Sequence, residues 1–237
     1  MNPVRIIKRA INRLRGNARV SGIVLPIDRN VLSPHMELTL AAGRYERRER
    51  ALATRIMRRG DVVLELGAGL GFLSSYLRKF TDAGNIVCVE ANPRLIPYIR
   101  RVHALNGVDG VELLNGVVVV HGDAPRAFPF FCRRDFWSSS LDASLPYDAV
   151  VEVGALSFSA ILQQHRPDVL IMDIEGGELD VLAAPSAGSI RAAVIETHPG
   201  LYGADGLRAV EANLARLGFA EDPEGMDRDV RTFIRDA

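Results

Sequence analysis

The spacing of apolar positions changes at about residue 61 of the chain. Before this point, the first fifteen residues carry apolar side chains three and four positions apart, with basic residues between them, which predicts an amphipathic helix. These apolar side chains are Val4, Ile7, Ile11 and Leu14. After residue 61, short β-branched runs alternate with helical stretches, a pattern typical of βαβ units and a mainly parallel sheet.

The alternation gives a set of predicted elements. The predicted strands are 62–66, 85–90, 111–119, 149–153, 168–174, 192–197 and 230–234. The helices predicted after the amino-terminal one are 44–59, 71–80, 93–106, 178–183 and 206–217. Because helical crossovers of this length cover both faces of a sheet, we predict an α/β fold. It is a doubly wound, mainly parallel, seven-stranded Rossmann-like sheet with helices on both faces and an amino-terminal helical extension.

Two parts of the chain follow from these elements. Residues 1–43 are expected to form a basic amino-terminal extension, and residues 44–237 the α/β domain. Within that domain, residues 125–144 interrupt the alternation with aromatic residues and consecutive serines, which predicts an insertion or a lid. The aromatic residues are Phe128, Phe130, Phe131, Phe136 and Trp137.

The composition is that of a globular protein, with 48% hydrophobic and 24% charged residues, which excludes the disordered and fibrous classes. The apolar runs are far shorter than the roughly 18 residues that a membrane-spanning helix needs. The chain has two cysteines, Cys88 and Cys132, and no recognisable secretory signal. We therefore expect a cytoplasmic location rather than a disulfide-stapled secreted scaffold.

Charge is distributed unevenly along the chain. Residues 1–60 hold 14 Lys and Arg against 4 Asp and Glu, whereas residues 61–237 hold 15 against 25. A basic arm of this kind can meet nucleic acid, anionic lipid or an acidic partner, or it can be the solvated face of a helix laid on an acidic body. The charge pattern alone does not choose among these interpretations.

The strongest chemical motif is the segment 62–72, VVLELGAGLGF, a buried strand followed by a glycine-rich turn and a helix. Small residues let a ligand approach the backbone, and the helix start presents unpaired N–H groups. The next strand ends in Glu90, 25 residues after Glu65, where an acid accepts hydrogen bonds from a ribose diol. In an open α/β sheet, ligands bind at this carboxyl edge.

Two cofactor classes use such a loop, and two details separate them. A dinucleotide fingerprint has its third glycine three positions after the second, and that position is Phe72 here. The carboxylate of Glu65, two residues before the first glycine, would repel a pyrophosphate and attract a cationic sulfonium. S-adenosylmethionine is therefore favoured over a nicotinamide cofactor. The alternative to a cofactor site is a tight structural turn that binds no ligand.

The loop resembles the first motif of the class I S-adenosylmethionine-dependent methyltransferases, an acid followed by GxGxG. The resemblance sharpens at residues 171–178, IMDIEGGE, which is similar to a signature of the FkbM-type methyltransferases. Further elements of that family agree in order over about residues 43–219; they are Tyr45 and Glu46, Asn115, Ser139 and Ser140, and IETHP at 195–199. Glu65 and Gly69 depart from the Asp and Asn that family members commonly carry, a conservative change.

The resemblance implies a cofactor-binding set. Glu65, Gly67 and Gly69 would frame the methionine part, and Glu90 would bind the ribose. Asn92 and Asn115 would lie on the adenine side, although Asn92 before Pro93 is also a natural helix cap. Ala68 and Ala91 complete the set by position.

Asp173 and Glu175 lie at the end of a central predicted strand and are expected at the same sheet edge. Asp173 would act as a base or orient the acceptor, and His198, after the next strand, is the alternative base. Glu175 and Glu178 would bind sugar hydroxyls or cap the helix that Glu178 begins. Two carboxylates and a histidine also suit Mg or Mn, but the resemblance requires no metal and none is predicted.

The resulting functional hypothesis is methyl transfer from S-adenosylmethionine to a hydroxyl of a sugar, lipid-linked glycan or secondary metabolite, with the oxygen target implied by the resemblance. The aromatic residues of 125–144 would line the acceptor pocket or form a packed insertion. The alternatives are a nucleic-acid methyltransferase that uses the basic arm, a binding protein that has lost catalysis, and a nicotinamide oxidoreductase. The nucleic-acid alternative is disfavoured because the arm lacks interleaved aromatics and the domain lacks an NPPY-type element. Oligomer formation is left open.

Overall fold

The computed structural model describes residues 3–122 and 124–235, so the first two residues of the predicted amino-terminal helix and the last two of the predicted domain 44–237 lie outside it. The amino-terminal extension contains more than helix. It consists of α1 (Pro3–Arg15), a β-hairpin of β1 (Asn17–Val20) and β2 (Ile23–Pro26), and α2 (Pro34–Ala41). The hairpin strands have four residues each, too few for a clear alternating pattern, so the sequence did not reveal them.

The remaining elements follow in chain order. They are α3 (Arg47–Ile56), β3 (Val63–Leu66), α4 (Phe72–Phe80), β4 (Ile86–Glu90), α5 (Ile96–Asn106), β5 (Val111–Asn115), β6 (Val117–Val119), β7 (Ala127–Cys132), β8 (Ala149–Ser157), α6 (Phe158–His165), β9 (Val169–Met172), α7 (Glu178–Leu182), β10 (Ala192–Glu196), α8 (Pro199–Arg216), β11 (Phe219–Asp227) and β12 (Val230–Arg235). Most predicted boundaries differ from these by one to four residues, whereas α8 begins well before the predicted 206 and α6 was not predicted.

A seven-stranded sheet in the order β11-β12-β10-β9-β3-β4-β5 forms the centre of the domain. The five strands from β10 to β5 run parallel, and β12 joins them antiparallel. Buried side chains alternate between two clusters, with Val63 packing on the α3–α5 face and Leu64 on the α6–α8 face. The predicted α/β fold with helices on both sheet faces is confirmed.

The membership of the sheet differs from the prediction in two places. The predicted strand 111–119 is divided at Gly116, so that β5 stays in the central sheet while β6 joins a separate three-stranded sheet in the order β6-β8-β7. A side chain at Gly116 would lie 2.5 Å from the Leu156 side chain, which is why the chain can turn closely past β8 here. The predicted strand 149–153 is part of β8 and lies outside the central sheet.

The seventh central strand is β11, which was not predicted. Its sequence, FAEDPEGMD, is mostly polar, and it lies at the sheet edge, where it pairs with β12 alone. Edge strands tolerate charge, proline and irregular register, and the register of this pair shifts between Glu221 and Met226. A polar edge strand has no hydrophobic pattern from which it could be predicted.

The aromatic segment 125–144 is packed onto the domain. β7 pairs antiparallel with β8 along its whole length, and Phe130 and Phe136 are 6% and 8% exposed. Trp137 contacts the ring of His35 in α2 at a centroid distance of 5.6 Å. The segment therefore connects the small sheet to the amino-terminal extension, and its action as a lid stays a prediction.

Among the described residues, no helix has both the length and the apolar character to cross a bilayer.

Candidate active site at the carboxyl edge of the sheet

The carboxyl ends of β3, β4, β9 and β10 meet at one edge of the sheet, where the predicted site residues follow their strands. The glycine-rich turn after β3 packs directly on the end of β9. Gly67 has a φ of 88°, and a side chain there would lie 1.8 Å from the backbone oxygen of Asp173. Glycine is required here both for the left-handed backbone and for the close approach of the two loops.

The two acids of the β3–β4 side are buried and hydrogen-bonded. Glu65 is 2% exposed, and its Oε2 accepts a hydrogen bond from the Cys88 thiol at 2.9 Å. Glu90 accepts from the backbone N–H of Gly69 at 2.9 Å and of Asn92 at 2.7 Å. Burial raises the pKa of each carboxyl to about 7, even though the donated hydrogen bonds lower it.

Asn115 and Asn92 hold the turn after β4. The side-chain amide of Asn115 donates to the backbone oxygens of Glu90 at 2.8 Å and Ala91 at 3.1 Å. The Oδ1 atom of Asn92 accepts from the backbone N–H of Arg94 at 3.1 Å, which forms an Asx turn. Both predicted adenine-side residues therefore have local structural contacts, and their contact with a cofactor stays a prediction.

His198 lies on the β9–β10 side, among carboxylates. Its Nδ1 is 3.0 Å from Oε1 of Glu178, which is 0% exposed. Its Nε2 faces Asp173 Oδ1 at 3.4 Å and Glu175 Oε2 at 3.6 Å. The structure thus brings together all three predicted catalytic residues. Burial alone would lower the pKa of His198, but the hydrogen bond to Glu178 and the neighbouring carboxylates raise it.

Glu178 has a larger part than the helix-start acid that was expected. Its Oε1 also accepts from the backbone N–H groups of Ile174 and Gly176, each at 3.3 Å. It caps the turn between β9 and α7 and at the same time fixes the ring of His198. The start of α7 has no side-chain cap, so Glu178 holds the turn before the helix and not the helix itself. The contact with His198 is an addition that sequence spacing alone did not give.

Several carboxylates that the sequence analysis did not place in the site line the cleft between the two sides. Glu46 and Glu49 come from α3 and its start, and Glu196 ends β10. Glu46 had been noted only through the family resemblance. For Glu196 a signal existed, because it lies two residues before His198 and strand alternation directs both to one side. Glu49 lies one helical turn from Glu46.

Some of these carboxylate oxygens lack a hydrogen-bond donor. Glu46 Oε2, Asp173 Oδ1 and Glu178 Oε2 are buried without a hydrogen bond among the described residues, although Asp173 Oδ1 lies 3.4 Å from His198 Nε2. Burial, followed by the charges of Glu196 and Glu175, raises the pKa of Asp173 well above its usual range. Buried acceptors without donors are unfavourable unless a proton or a cationic ligand joins them. The cleft is therefore suited to a positively charged group.

The backbone near the cleft is strained at two acids. Glu46 and Glu175 have φ values of 44° and 51°, a left-handed conformation that costs a side chain of this kind about 1–2 kcal/mol. The Tyr45 hydroxyl next to Glu46 accepts from the backbone N–H of Leu70 at 3.2 Å. This contact fixes the start of α3 over the glycine-rich turn.

Three donor atoms of the cleft are arranged closely enough to share a metal ion. Asp173, Glu196 and His198 each offer one atom within 4.8 Å of the others. A set of two carboxylates and an imidazole suits Mn or Zn. The expectation that no metal takes part is untested and stays a prediction.

The family model described as Methyltransferase FkbM domain matches residues 65–236. The chain is 32% identical over 141 residues to a ribosomal RNA small subunit methyltransferase A of Rhodococcus erythropolis, covering 60% of this chain and 44% of the relative. It is 33% identical over 88 residues to a probable enzyme of the same name from Thermococcus onnurineus, covering 37% of this chain and 26% of the relative. The chain thus spans less than half the length of these relatives.

Among solved structures, a methyltransferase from Pyrococcus furiosus superposes with a TM-score of 0.50 at 15% sequence identity. The superposition covers 98% of this chain and 97% of that one. At this identity the likeness establishes the fold and leaves the substrate open.

Proposed function

The chain belongs to the methyltransferase FkbM domain family, and on this premise we propose that it methylates a hydroxyl oxygen of a sugar, glycan or secondary metabolite. Its cofactor is S-adenosylmethionine. The observation that carries the oxygen acceptor is the position of His198. Its Nε2 lies 3.4 Å from Asp173 Oδ1 and 3.6 Å from Glu175 Oε2, so that a base and hydrogen-bond acceptors for a polyhydroxyl compound lie together.

The residues of the cleft fit S-adenosylmethionine. Its methionine end carries an ammonium and a sulfonium, and the unpartnered oxygens of Glu46 and Asp173 are acceptors that such charges would satisfy. Each oxygen of Glu90 accepts one backbone hydrogen bond and keeps a second lone pair for a ribose hydroxyl. Gly67 lets the turn after β3 pack closely on the backbone of Asp173, which brings the two sides of the site together. Glu65, Gly69, Ala68, Ala91, Asn92 and Asn115 would complete this binding set.

The mechanism we propose uses the residues of the β9–β10 side. When bound, the cofactor supplies an electrophilic methyl group. His198 would accept the proton of the acceptor hydroxyl at Nε2 as the oxygen takes the methyl group from the sulfonium sulfur, which leaves as the thioether of S-adenosylhomocysteine. Glu178 would stabilise the resulting imidazolium through Nδ1. Asp173 and Glu175 would accept hydrogen bonds from neighbouring hydroxyls and so orient the reacting oxygen for the transfer.

The test is formation of S-adenosylhomocysteine by the purified protein with S-adenosylmethionine and a panel of polyhydroxyl acceptors. We expect turnover with at least one acceptor, and a loss of about 10²–10⁴-fold in kcat/KM for His198→Ala. His165→Ala, which removes a histidine 3.9 Å from Glu112 outside the cleft, should keep the wild-type rate. If Asp173→Asn abolished turnover while His198→Ala kept it, the base would be Asp173 instead.

A second candidate, methylation of RNA, is supported by the two ribosomal RNA methyltransferase relatives and by the basic amino-terminal residues. It predicts methyl transfer to ribosomal RNA with an affinity that falls steeply as salt increases. Cofactor binding without transfer to any acceptor or RNA would instead favour a binding protein that has lost catalysis.

A further inference from the structure

Helix α1 lies on the protein with its basic side inward. Arg9 and Arg13 both bind Glu37 of α2, with nitrogen-to-Oε2 distances of 2.5 and 2.6 Å. Glu37 is 2% exposed, and the two guanidinium groups hold its pKa below the usual range, although burial alone would raise it. The ion pairs fix which side of the helix faces the body, so the apolar side must face away from it.

The outward side of α1 carries a stripe of aliphatic side chains, here called the α1 stripe, formed by Ile7, Ile11 and Leu14. These three side chains are 60%, 38% and 88% exposed, and Ile6 beside them is 44% exposed. None of the residues of α1 is buried. A contiguous group of large exposed aliphatic side chains on one helix is a feature of interaction surfaces.

The charge of α1 decides among possible partners. The helix has five basic residues and no acidic one, and at about 100° per residue Lys8 and Arg15 fall along one edge of the α1 stripe. Both are exposed. A second copy packed stripe to stripe would bring these cations together, which disfavours self-association. Nucleic acid would meet Lys8 and Arg15 but would offer nothing to the aliphatic side chains, and α1 has no aromatic residue for stacking.

We propose that α1 binds an anionic lipid surface. The α1 stripe enters the boundary between headgroups and acyl chains, while Lys8 and Arg15 contact lipid phosphates. The ion pairs of Arg9 and Arg13 with Glu37 keep α1 attached to the rest of the protein, which lies on the side of the helix away from the lipid. Binding of this kind would deliver the enzyme to acceptors exposed at a membrane, but it is independent of the reaction proposed above.

The experiment is flotation of the full chain with vesicles of pure phosphatidylcholine and of phosphatidylcholine containing phosphatidylglycerol. We expect binding to the anionic vesicles at least tenfold tighter than to the neutral ones. Serine at all three α1 stripe positions, Ile7→Ser with Ile11→Ser and Leu14→Ser, should weaken it at least tenfold. Lys8→Gln with Arg15→Gln should remove most of the preference for the anionic vesicles.

A matched control replaces exposed apolar side chains elsewhere. Leu105, Leu145 and Met226 are 51%, 55% and 54% exposed, and their combined replacement by serine should change vesicle binding by less than twofold. Circular dichroism confirms that each variant is folded. The proposal is overturned if the folded wild type does not bind anionic vesicles, or if the control variant weakens binding as much as the stripe variant does. It is also overturned if the wild type is a dimer and the stripe variant is a monomer.

Discussion

The carboxylates on the two sides of the site differ in the hydrogen-bond donors they receive. On the β3–β4 side, Glu90 receives two backbone N–H groups and Glu65 receives a thiol. On the β9–β10 side, Asp173 and Glu178 each have a buried oxygen without a donor among the described residues, and His198 lies between the carboxylates. The carboxylates of the first side are paired within the protein, whereas on the second side Asp173 Oδ1 and Glu178 Oε2 are left without a hydrogen-bond donor in the described part of the chain.

This difference indicates how the site divides its work. A carboxylate held by backbone donors is preorganised and presents its remaining lone pairs in fixed directions. Carboxylates that face one another without donors raise each other's pKa and gain stability only when a proton or cation arrives. We infer that the β3–β4 side positions the cofactor and that the β9–β10 side responds to ligands. Four predictions test this division.

The largest effect is expected where the two sides touch. Gly67→Ala should destabilise the protein by more than about 3 kcal/mol, because the new methyl group meets the backbone of Asp173. Gly43→Ala is the matched control: its φ is 65°, but nothing lies within 4 Å of the added carbon, so only the backbone term of about 1 kcal/mol is expected. Chemical denaturation measures both; equal losses would show that the contact between the sides is not tight.

The second effect concerns the partner of His198. Glu178→Gln keeps an acceptor for Nδ1 but removes a negative charge that raises the pKa of His198. We expect kcat to fall about 10–100-fold because the imidazolium loses stabilisation. The acid limb of the kcat/KM profile should move to lower pH, since a histidine with a lower pKa stays neutral in more acidic solution. An unchanged profile would mean that His198 does not titrate in the reaction.

The third effect should appear in cofactor binding alone. Glu90→Gln replaces one charged acceptor on the β3–β4 side, and the affinity for S-adenosylmethionine should weaken about 5–30-fold, or roughly 1–2 kcal/mol. Titration calorimetry measures this change, with Glu112→Gln on the exposed side of β5 as control. A loss of kcat at saturating cofactor, without a change in affinity, would argue against the division of the two sides.

The fourth prediction concerns the pH dependence of stability. Glu65 and Glu90 keep their protons up to about pH 7 in the folded cofactor-free protein, whereas in the unfolded chain they release them near their ordinary pKa of about 4.5. The stabilisation they give is complete below the unfolded pKa and is lost as pH rises through about 7, up to about 3 kcal/mol for each carboxyl.

Differential scanning fluorimetry from pH 5 to 8 measures this loss as a falling Tm. Glu90→Gln should make the fall shallower, because one of the two carboxyls is replaced by an amide that has no proton to release. A Tm that rises over the same interval would contradict the raised pKa values and, with them, the burial of these two carboxyls.

Local patterns determined much of the fold and part of the site. The run VVLELGAGLGF and the run IMDIEGGE each contain strand residues, the turn after them and the first residue of the following helix. The position of Glu65, Gly67 and Asp173 at strand ends could therefore be predicted. Parallel strands end at one edge, and this rule brought His198 to the same place. The family resemblance rested on these same short segments.

The tertiary structure alone decided features that depend on distant contacts. β8 and β11 could not be assigned to their sheets, because strand pairing depends on which edges remain free and not on local hydrophobicity. Glu46, Glu49 and Glu196 meet in the cleft only because α3 packs against the sheet. For α1, the sequence determined an apolar and a basic side, but the ion pairs of Arg9 and Arg13 with Glu37 decided that the basic side faces inward. Amphipathicity fixes the two faces of a helix, and only its neighbours determine which one meets the solvent.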